Sequence, residues 1–297
     1  MIPETFEYTA PQTLEEALEL LAGGERKVLA GGQSLIPLMK LRLATPEKVV
    51  DLGRVPGLGE IQESSGGLLI GTMATHYGIA ISPLVRGRCP LLAEAASHIG
   101  DVQVRNLGTI GGSIAHADPA ADYPAALVAL EARVHLVSAG GERTVAAGDF
   151  FLDAFTTALD CAELVTELVV PLPAERSGGA YIALKRCAPV YASASVAVQL
   201  TLNDDDTCSD ARIVLGVLGL TAARVPAAED ELRNRPLSPE RMDKVRQAMM
   251  EIAEPTSDMR GSAEYKRQVA GVLAKQAVEA AWKRACGKHV EVTHLYA

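Results

Sequence analysis

The sequence predicts an α+β protein in which a region of alternating short strands and helices precedes a domain of antiparallel sheet and helical bundle. Short apolar runs punctuated by glycine fill the first half, as expected for brief strands and helices. Residues 171–179 contain two prolines and paired glycines, which resist continued strand or helix, so we place a domain boundary there. An alanine-rich helical segment follows over residues 262–286.

Composition excludes several classes of protein. A chain of 297 residues with 48% hydrophobic content is long enough for two or three compact domains. A net charge of −9 argues against sequence-independent binding to nucleic acid or anionic lipid. No apolar run reaches the roughly 18–20 residues of a membrane span, and residues 1–9 lack the features of a signal peptide. We expect a cytoplasmic protein without nucleic-acid partner or membrane span.

Cysteine and histidine are scattered along the chain. The five cysteines show no CxxC spacing, and the six histidines show neither HExxH nor an i, i+4 pair. We therefore expect no disulfide framework, no iron–sulfur cluster, no metal site and no catalytic side chain, so that any chemistry depends on a borrowed cofactor.

The N-terminal elements follow from local signals. Thr13 and Glu16 form a capping box that opens the helix Leu14–Ala22, and Gly23 with Gly24 ends it. A hairpin is expected across Gly140 and Gly141. Apolar runs predict the remaining strands at residues 27–30, 49–52, 58–62, 68–71, 133–138, 142–146 and 164–170, and helices at 76–81, 91–99 and 124–132.

The C-terminal elements are a small antiparallel sheet and a helical bundle. Strands are expected at residues 180–185, 193–202 and 211–218, with a polar turn at 203–206. Ser238 followed by Pro239 predicts a helix start. Further helix over residues 262–286 completes a bundle against the sheet.

Residues 28–35, VLAGGQSL, form the first glycine loop, in which an apolar strand ends at Gly-Gly before small polar residues and a new helix. Such a turn can direct backbone N–H groups at a phosphate, because glycine permits positive φ and has no Cβ. An ordinary strand-to-helix turn explains the pattern equally well.

Residues 105–113, RNLGTIGGS, form the second glycine loop from the same kinds of residue. Neither loop fits GxGxxG, and no GK[ST] follows, which excludes the Rossmann fingerprint and the Walker loop. We therefore predict two anion cradles, far apart in sequence, that close together over one diphosphate.

Two acids, Asp118 and Asp122, follow the second loop. A carboxylate there can accept hydrogen bonds from ribose hydroxyls, or Asp122 can cap the helix near Pro124. His116 is expected to be a buried, hydrogen-bonded histidine rather than a ligand.

Together these segments resemble the FAD-binding subunits of the xanthine dehydrogenase and carbon monoxide dehydrogenase family of molybdenum hydroxylases, within the vanillyl-alcohol-oxidase type of flavoprotein. The resemblance spans nearly the whole chain. It rests on AGGQSL at residues 30–35, RNLGTIGGSIAHADPAADYPA at 105–125 and DFF at 149–151. It implies two α+β subdomains, about 1–56 and 57–175, that clasp FAD, and a C-terminal domain, 176–297, of three-stranded antiparallel sheet and helical bundle.

The resemblance also implies the residues that contact FAD. Asp122 falls on a ribose- or adenosine-side carboxylate, Val28 and Leu35 on positions near the flavin, and Leu164 on one near the adenine. The pyrophosphate-side positions are Ala30, Gly31, Gly32, Gln33 and Ser34 in the first loop and Thr109, Gly111, Gly112 and Ser113 in the second. Ile110, in the second loop, is a further cofactor-binding position.

For two further residues, a role near the flavin and a purely structural role both remain open. Lys185 coincides with a family lysine close to the flavin, where a fixed cation stabilises the reduced ring, although a solvated strand-end lysine is the default for this residue type. Tyr191 falls on an aromatic position beside the ring, and packing between domains explains it equally well. Gln33 stands where covalently flavinylated relatives carry histidine, so the FAD is expected to be non-covalent. Ser113 replaces an acid or asparagine of many relatives.

The implied function is electron transfer. A large partner would carry the molybdenum cofactor and a small partner two [2Fe–2S] clusters, in a dimer of heterotrimers, and the FAD of this chain would pass electrons to NAD⁺, a quinone or oxygen. Two alternatives are a self-contained flavin-dependent oxidase or reductase, similar in its FAD clasp to the cell-wall enolpyruvyl reductase, and an assembly module that has lost FAD.

Overall fold

Residues 7–54 form a three-stranded parallel sheet with helices between its strands. The computed structural model describes residues 2–292, 295 and 296. The elements are β1 (Glu7–Thr9), α1 (Leu14–Ala22), β2 (Lys27–Leu29), α2 (Leu35–Lys40), β3 (Lys48–Asp51) and a 3₁₀ turn (Leu52–Arg54), with strand order β1-β3-β2. The capping-box prediction is confirmed in part, because the Thr13 hydroxyl accepts the N–H of Glu16, whereas the Glu16 carboxylate accepts the N–H of Gln12.

Residues 61–170 form a second, antiparallel sheet covered by a layer of short helices. The elements are β4 (Ile61–Ser64), β5 (Gly67–Gly71), α3 (His76–Ile81), α4 (Pro83–Arg88), α5 (Pro90–His98), α6 (Val102–Leu107), α7 (Ile110–His116), α8 (Tyr123–Ala129), β6 (Arg133–Ser138), β7 (Gly141–Ala146), α9 (Ala147–Phe150), β8 (Phe151–Asp153), β9 (Thr156–Thr157) and β10 (Leu164–Val170). The sheet order is β4-β5-β10-β6-β7, and β8 pairs with β9 alone.

Several predicted bounds in this region shift by a few residues. The predicted strand at 58–62 lies at Ile61–Ser64. The helix predicted over 124–132 ends at Ala129, because Glu131 adopts a φ of 52° that no helix continues. Gly141, predicted within the hairpin turn, already belongs to β7 and pairs with Ser138.

The C-terminal region has a five-stranded sheet rather than the predicted three-stranded one. The elements are β11 (Ser177–Lys185), β12 (Ala194–Leu202), β13 (Cys208–Gly216), β14 (Ala223–Arg224), α10 (Pro226–Leu232), α11 (Pro239–Ile252), α12 (Ala263–Ala285) and β15 (Leu295–Tyr296). The three long strands β11, β12 and β13 are antiparallel as predicted, and the two-residue strands β14 and β15 extend the edges. The predicted cap is present, since the Ser238 hydroxyl accepts the N–H of Arg241.

The predicted linker is shorter than residues 171–179. Gly178 and Gly179 lie inside β11, where the sheet packs closely against its neighbours. A Cβ on Gly178 would lie 2.0 Å from the carbonyl oxygen of Ala281 in α12, and one on Gly179 would lie 2.4 Å from Oε1 of Gln199. These glycines therefore permit close packing and do not mark a flexible segment.

Both faces of the C-terminal sheet are buried. Tyr181 and Ala183 belong to the core that α5 and α8 form, while Ala180 and Ile182 face α11 and α12 on the other side. Alternate residues of one strand thus enter two cores, as the period of a strand requires. Across the described residues, no helix is both long and apolar enough to span a bilayer.

Candidate functional site

The two glycine loops meet in space, as predicted. A Cβ on Gly31 would lie 2.1 Å from the carbonyl oxygen of Leu107 and 2.7 Å from Cα of Gly108. A Cβ on Gly112 would lie 3.4 Å from the Cβ of Ala30. Backbones approach this closely only where side chains are missing, so the first loop sits directly against the second.

The first loop presents unpaired backbone donors. Gly32 has a φ of 71°, which turns the chain between β2 and α2. Within the described part of the chain, the backbone N–H groups of residues 32–35 have no protein acceptor. Ser34 precedes α2, and its hydroxyl makes no capping bond. The side chain of Gln33 donates to the carbonyl of Gly31 at 3.1 Å and so holds the turn from within. Successive free N–H groups in such a turn are suited to an anion.

The second loop is mostly helical, which corrects the prediction of an open loop. Only Gly108 and Thr109 lie outside α6 and α7, and Gly111 and Gly112 occupy the first turn of α7. A Cβ on Gly111 would lie 1.6 Å from Oγ1 of Thr72, so this glycine serves close packing. None of the glycines at 108, 111 and 112 has a positive φ.

The second loop also differs from the predicted anion cradle in its donors. The first four N–H groups of α7 all have protein acceptors, because the neighbouring backbone and the Thr109 hydroxyl take them. The pairs are Ile110 with the carbonyl of Ala74 at 3.0 Å, Gly111 with that of Thr72 at 2.9 Å, Gly112 with Oγ1 of Thr109 at 3.1 Å, and Ser113 with the carbonyl of Thr109 at 3.0 Å.

Asp122 does not cap α8, so that alternative is wrong. Its side chain makes no capping bond and instead accepts the hydroxyl of Tyr181 at 2.7 Å. Burial, and next Asp122 itself, raise the pKa of Tyr181 well above its ordinary value, so the phenol stays protonated and donates. Asp122 is 5% exposed as a residue and lies between α8 and the C-terminal sheet, where it contacts Tyr181 and Lys185 of β11.

Lys185 is buried, so the solvated alternative is wrong for this residue. Its side chain is 3% exposed, and Nζ lies 3.8 Å from a carboxylate oxygen of Asp122. Nζ also donates to the backbone carbonyl of His98. Elements from both halves of the chain thus hold a lysine at the end of β11.

Tyr191 and His116 lie at the edge of the same region. Tyr191 is 49% exposed, and its partial burial, followed by the negative charge of Asp118, raises the pKa of the phenol. His116 is half-buried, and its ring packs against that of Phe155 with centroids 5.2 Å apart. Burial lowers the pKa of His116.

The apolar positions occupy different surroundings. Ile110 is fully buried in the core beneath the second loop, and Leu35 is half-buried at the start of α2. Leu164 lies in an apolar cluster with Leu18 and Val50, and Val28 packs at the rim of that cluster. The core accounts for Leu164 by itself, and the adenine contact stays a prediction.

Sequence reasoning missed the segment that supports the second loop. Residues 72–76, TMATH, run alongside residues 108–111 and accept or donate three of their backbone hydrogen bonds. Thr75 caps α3 through its hydroxyl, which accepts the N–H of Gly78. Thr75 as a helix cap is the one signal that the sequence carries for this segment.

Comparison with known proteins shows the family of the chain. Residues 4–173 match the family described as the FAD binding domain in molybdopterin dehydrogenase, and residues 179–281 match the CO dehydrogenase flavoprotein C-terminal domain. The chain belongs to the FAD-binding medium subunits of the molybdenum hydroxylases. These subunits are parts of oxidoreductases.

Individual medium subunits align over nearly their whole length. The chain is 43% identical over 286 residues to the carbon monoxide dehydrogenase medium chain of Hydrogenophaga pseudoflava, which covers 96% of this chain and 99% of that one. It is 40% identical to the nicotine 6-hydroxylase medium subunit of Paenarthrobacter nicotinovorans, over 93% of this chain and 97% of that one.

Solved structures show the same mixed helix and sheet fold. Carbon monoxide dehydrogenase from Hydrogenophaga pseudoflava superposes with a TM-score of 0.92 at 44% identity, covering 96% of this chain and 99% of that one. Quinoline 2-oxidoreductase from Pseudomonas putida superposes with a TM-score of 0.91 at 32% identity, over 96% and 99%.

The residues present at the two loops fit the FAD of a medium subunit. The open N–H groups of residues 32–35 supply donors for a diphosphate, and the glycine contact at Gly31 keeps the backbone free of side chains. Across the described residues, no group of histidine, cysteine, aspartate and glutamate is arranged to hold a metal ion.

Proposed function

We propose that this medium subunit binds FAD non-covalently at the contact of its two glycine loops and transfers electrons within a larger complex. The electrons would come from [2Fe–2S] clusters of a small partner and leave for a terminal acceptor, while a large partner with the molybdenum cofactor oxidises the substrate. The observation that carries the proposal is the contact between Gly31 and the backbone of Leu107 and Gly108, beside open N–H groups.

The two loops would play different roles in binding FAD. The N–H groups of residues 32–35, with the side chains of Gln33 and Ser34, would hold the diphosphate. Residues 109–113 would form the opposite wall, where the Ser113 hydroxyl is half-buried and Ile110 backs the helix from the core. Asp122 would bind on the ribose side through its carboxylate, which also accepts the hydroxyl of Tyr181.

The junction of the two domains would hold the flavin end. A bound flavin would supply one-electron exchange with iron–sulfur clusters and two-electron exchange with an acceptor such as NAD⁺, a quinone or oxygen. Lys185 supplies a buried positive charge that favours added negative charge nearby, and Asp122 with the His98 carbonyl keeps its ammonium group in place. Tyr191, half-exposed next to this junction, would cover the ring.

Attachment of the flavin would be non-covalent. Gln33 occupies the position in the first loop where covalent relatives carry a histidine, and its amide already donates to the carbonyl of Gly31. An amide nitrogen is a poor nucleophile toward a flavin methyl group, so the cofactor would be released on denaturation.

The proposed organisation is a dimer of heterotrimers in which this chain divides into an FAD-binding domain at residues 1–175, with subdomains at about 1–56 and 57–175, and a C-terminal domain at 176–297. Relatives are named for carbon monoxide, nicotine and glyceraldehyde. Since relatives named for such different compounds have similar medium chains, the large partner would determine the substrate.

Purification of the complex from its native host tests the proposal. We expect visible flavin and iron–sulfur absorption, molybdenum and iron in the purified complex, and FAD in the supernatant after acid precipitation. A preparation in which this chain alone turns over substrate, free of molybdenum and iron, would contradict the subunit role. Flavin that stays with the precipitated chain would contradict the non-covalent attachment alone.

A further inference from the structure

We infer that His76 is a positioning residue of the FAD site, which holds Gly108 against Gly31 and ties this contact to the start of α8. The inference rests on the proposed function, because the loops matter only if they bind the diphosphate. His76 lies outside both glycine loops, at the first position of α3.

Gly108 is enclosed between Gly31 and the His76 ring. A Cβ on Gly108 would lie 2.6 Å from Nε2 and 2.8 Å from Cδ2 of His76. A Cβ on Gly31 would lie 2.7 Å from Cα of Gly108. The imidazole therefore forms the back wall of the place where the first loop meets the second.

The backbone of His76 is itself fixed. Its N–H donates to the carbonyl of Gly108 at 2.9 Å, and the preceding residue, Thr75, caps α3 through a 3.0 Å bond from the N–H of Gly78. Both the backbone and the ring of His76 thus meet the same glycine, which leaves Gly108 little room to retreat from Gly31.

The other edge of the ring reaches α8. Nδ1 lies 3.1 Å from the hydroxyl of Tyr123, and the two ring centroids are 5.3 Å apart. His76 is 4% exposed and Tyr123 is fully buried. Because Tyr123 follows Asp122 directly, this bond connects the contact of the loops to the residue proposed for the ribose side.

The ring works through shape and hydrogen bonding. Burial, and next the positive charge of Arg105, lower the pKa of His76 to about 4, so the imidazole is neutral at neutral pH. Uncharged side chains can therefore imitate one edge of the ring at a time. An asparagine amide reaches the Nδ1 position, and a glutamine amide reaches the Nε2 position.

The test uses the full chain stripped of flavin, with FAD and FMN as separate probes and flavin fluorescence as the readout of the Kd. His76→Asn keeps the bond to Tyr123 but leaves a gap behind Gly108, and we expect it to weaken FAD binding about tenfold or more. His76→Gln fills that gap, and we expect its FAD affinity to stay within about threefold of wild type. FMN lacks the second phosphate and the adenosine, so its affinity should change less than that of FAD in His76→Asn.

His135→Asn is a matched control. His135 lies in β6, and its Nδ1 is also 3.1 Å from a hydroxyl, that of Thr166 in β10. We expect its FAD affinity to equal that of wild type. The melting temperature of each apoprotein separates positioning from folding. Equal losses of FAD and FMN affinity, or a lowered melting temperature with unchanged FAD affinity in His76→Asn, would overturn the inference. Wild-type protein that binds no FAD would instead overturn the proposed function.

Discussion

The two glycine loops have similar sequences but different structures. The first is a half-buried turn with one positive-φ glycine and open N–H groups. The second lies mainly in helices, has no positive-φ glycine at 108, 111 or 112, and uses its first four helical N–H groups internally. Glycine therefore leaves backbone N–H groups accessible in the first loop and permits close packing in the second.

Gly31→Ala should produce the largest effect. Its Cβ would lie 2.1 Å from a backbone oxygen, so the two loops must separate, and overpacking against backbone costs about 3 kcal/mol or more. We expect loss of FAD binding together with reduced stability in denaturant titration. The control is Gly87→Ala, within α4, where φ is not positive and nothing lies within 4 Å of the added Cβ. An unchanged FAD affinity in Gly31→Ala would contradict the proposed site.

Gly111→Ala should follow, with a cost of about 2–3 kcal/mol. The two nearest obstacles are side-chain atoms of Thr72, Oγ1 at 1.6 Å and Cβ at 2.7 Å, and the carbonyl oxygen of Thr72 follows at 2.8 Å. Adding Thr72→Gly should restore part of the free energy of unfolding, whereas the obstacle at Gly31 is backbone and no side-chain deletion removes it. If the double variant is no more stable than Gly111→Ala, the Thr72 side chain is not the main obstacle, and the proposed difference between the two loops is wrong.

Gly32→Ala tests the turn of the first loop. An alanine at a φ of 71° costs about 1–2 kcal/mol, and its Cβ would lie 2.7 Å from the flexible end of Ile36. Gly32→Asn should lose less stability, because asparagine tolerates this conformation better. Chemical denaturation of the apoprotein measures both, and equal losses would show that the Ile36 contact, not φ, sets the cost.

Thr109→Ala should cost about 1 kcal/mol of apoprotein stability, because it removes the hydroxyl that accepts the N–H of Gly112. The freed N–H belongs to Gly112, which lies against Ala30 of the first loop, and would then be available to FAD. Thermal unfolding of apoprotein and FAD titration measure the two effects separately. A change in stability well below this value would mean that the cap is not formed in solution.

Ser34→Ala should have the smallest effect on stability, about 0 kcal/mol, because the Ser34 hydroxyl makes no capping bond. Its FAD affinity should nevertheless fall about tenfold if the hydroxyl binds the diphosphate. An unchanged FAD affinity in Ser34→Ala would mean that the first loop binds the diphosphate through its backbone N–H groups and not through the Ser34 hydroxyl. Thr109→Ala and Ser34→Ala together therefore separate the structural cap from the proposed ligand contact.

Elements with strong local signals matched their predictions. α1 begins at a capped position and ends at glycine, and β10 and α3 have the predicted bounds. The meeting of the two glycine loops was also predicted, from their similar composition and from the need for two sites on one diphosphate.

Other features had no local signal. Gly178 and Gly179 suggest a linker in sequence, but helix α12 lies against the strand that contains them. Asp122 has the position of a helix cap, but its partners Tyr181 and Lys185 come from the C-terminal sheet. His76 was predicted only as the start of a helix, because nothing near it in sequence indicates Gly108 or Tyr123.

The amino-acid sequence alone determined the types of the elements with strong local signals, the position of both glycine segments, and through its motifs the family of the protein. Periodicity, capping residues and turn residues act over a few neighbouring positions, so a linear pattern is sufficient to show them. Only the tertiary structure decided which loop keeps its N–H groups open and what Asp122, Lys185 and His76 contact. Those properties depend on atoms that are distant in sequence and are brought together by packing of the buried cores.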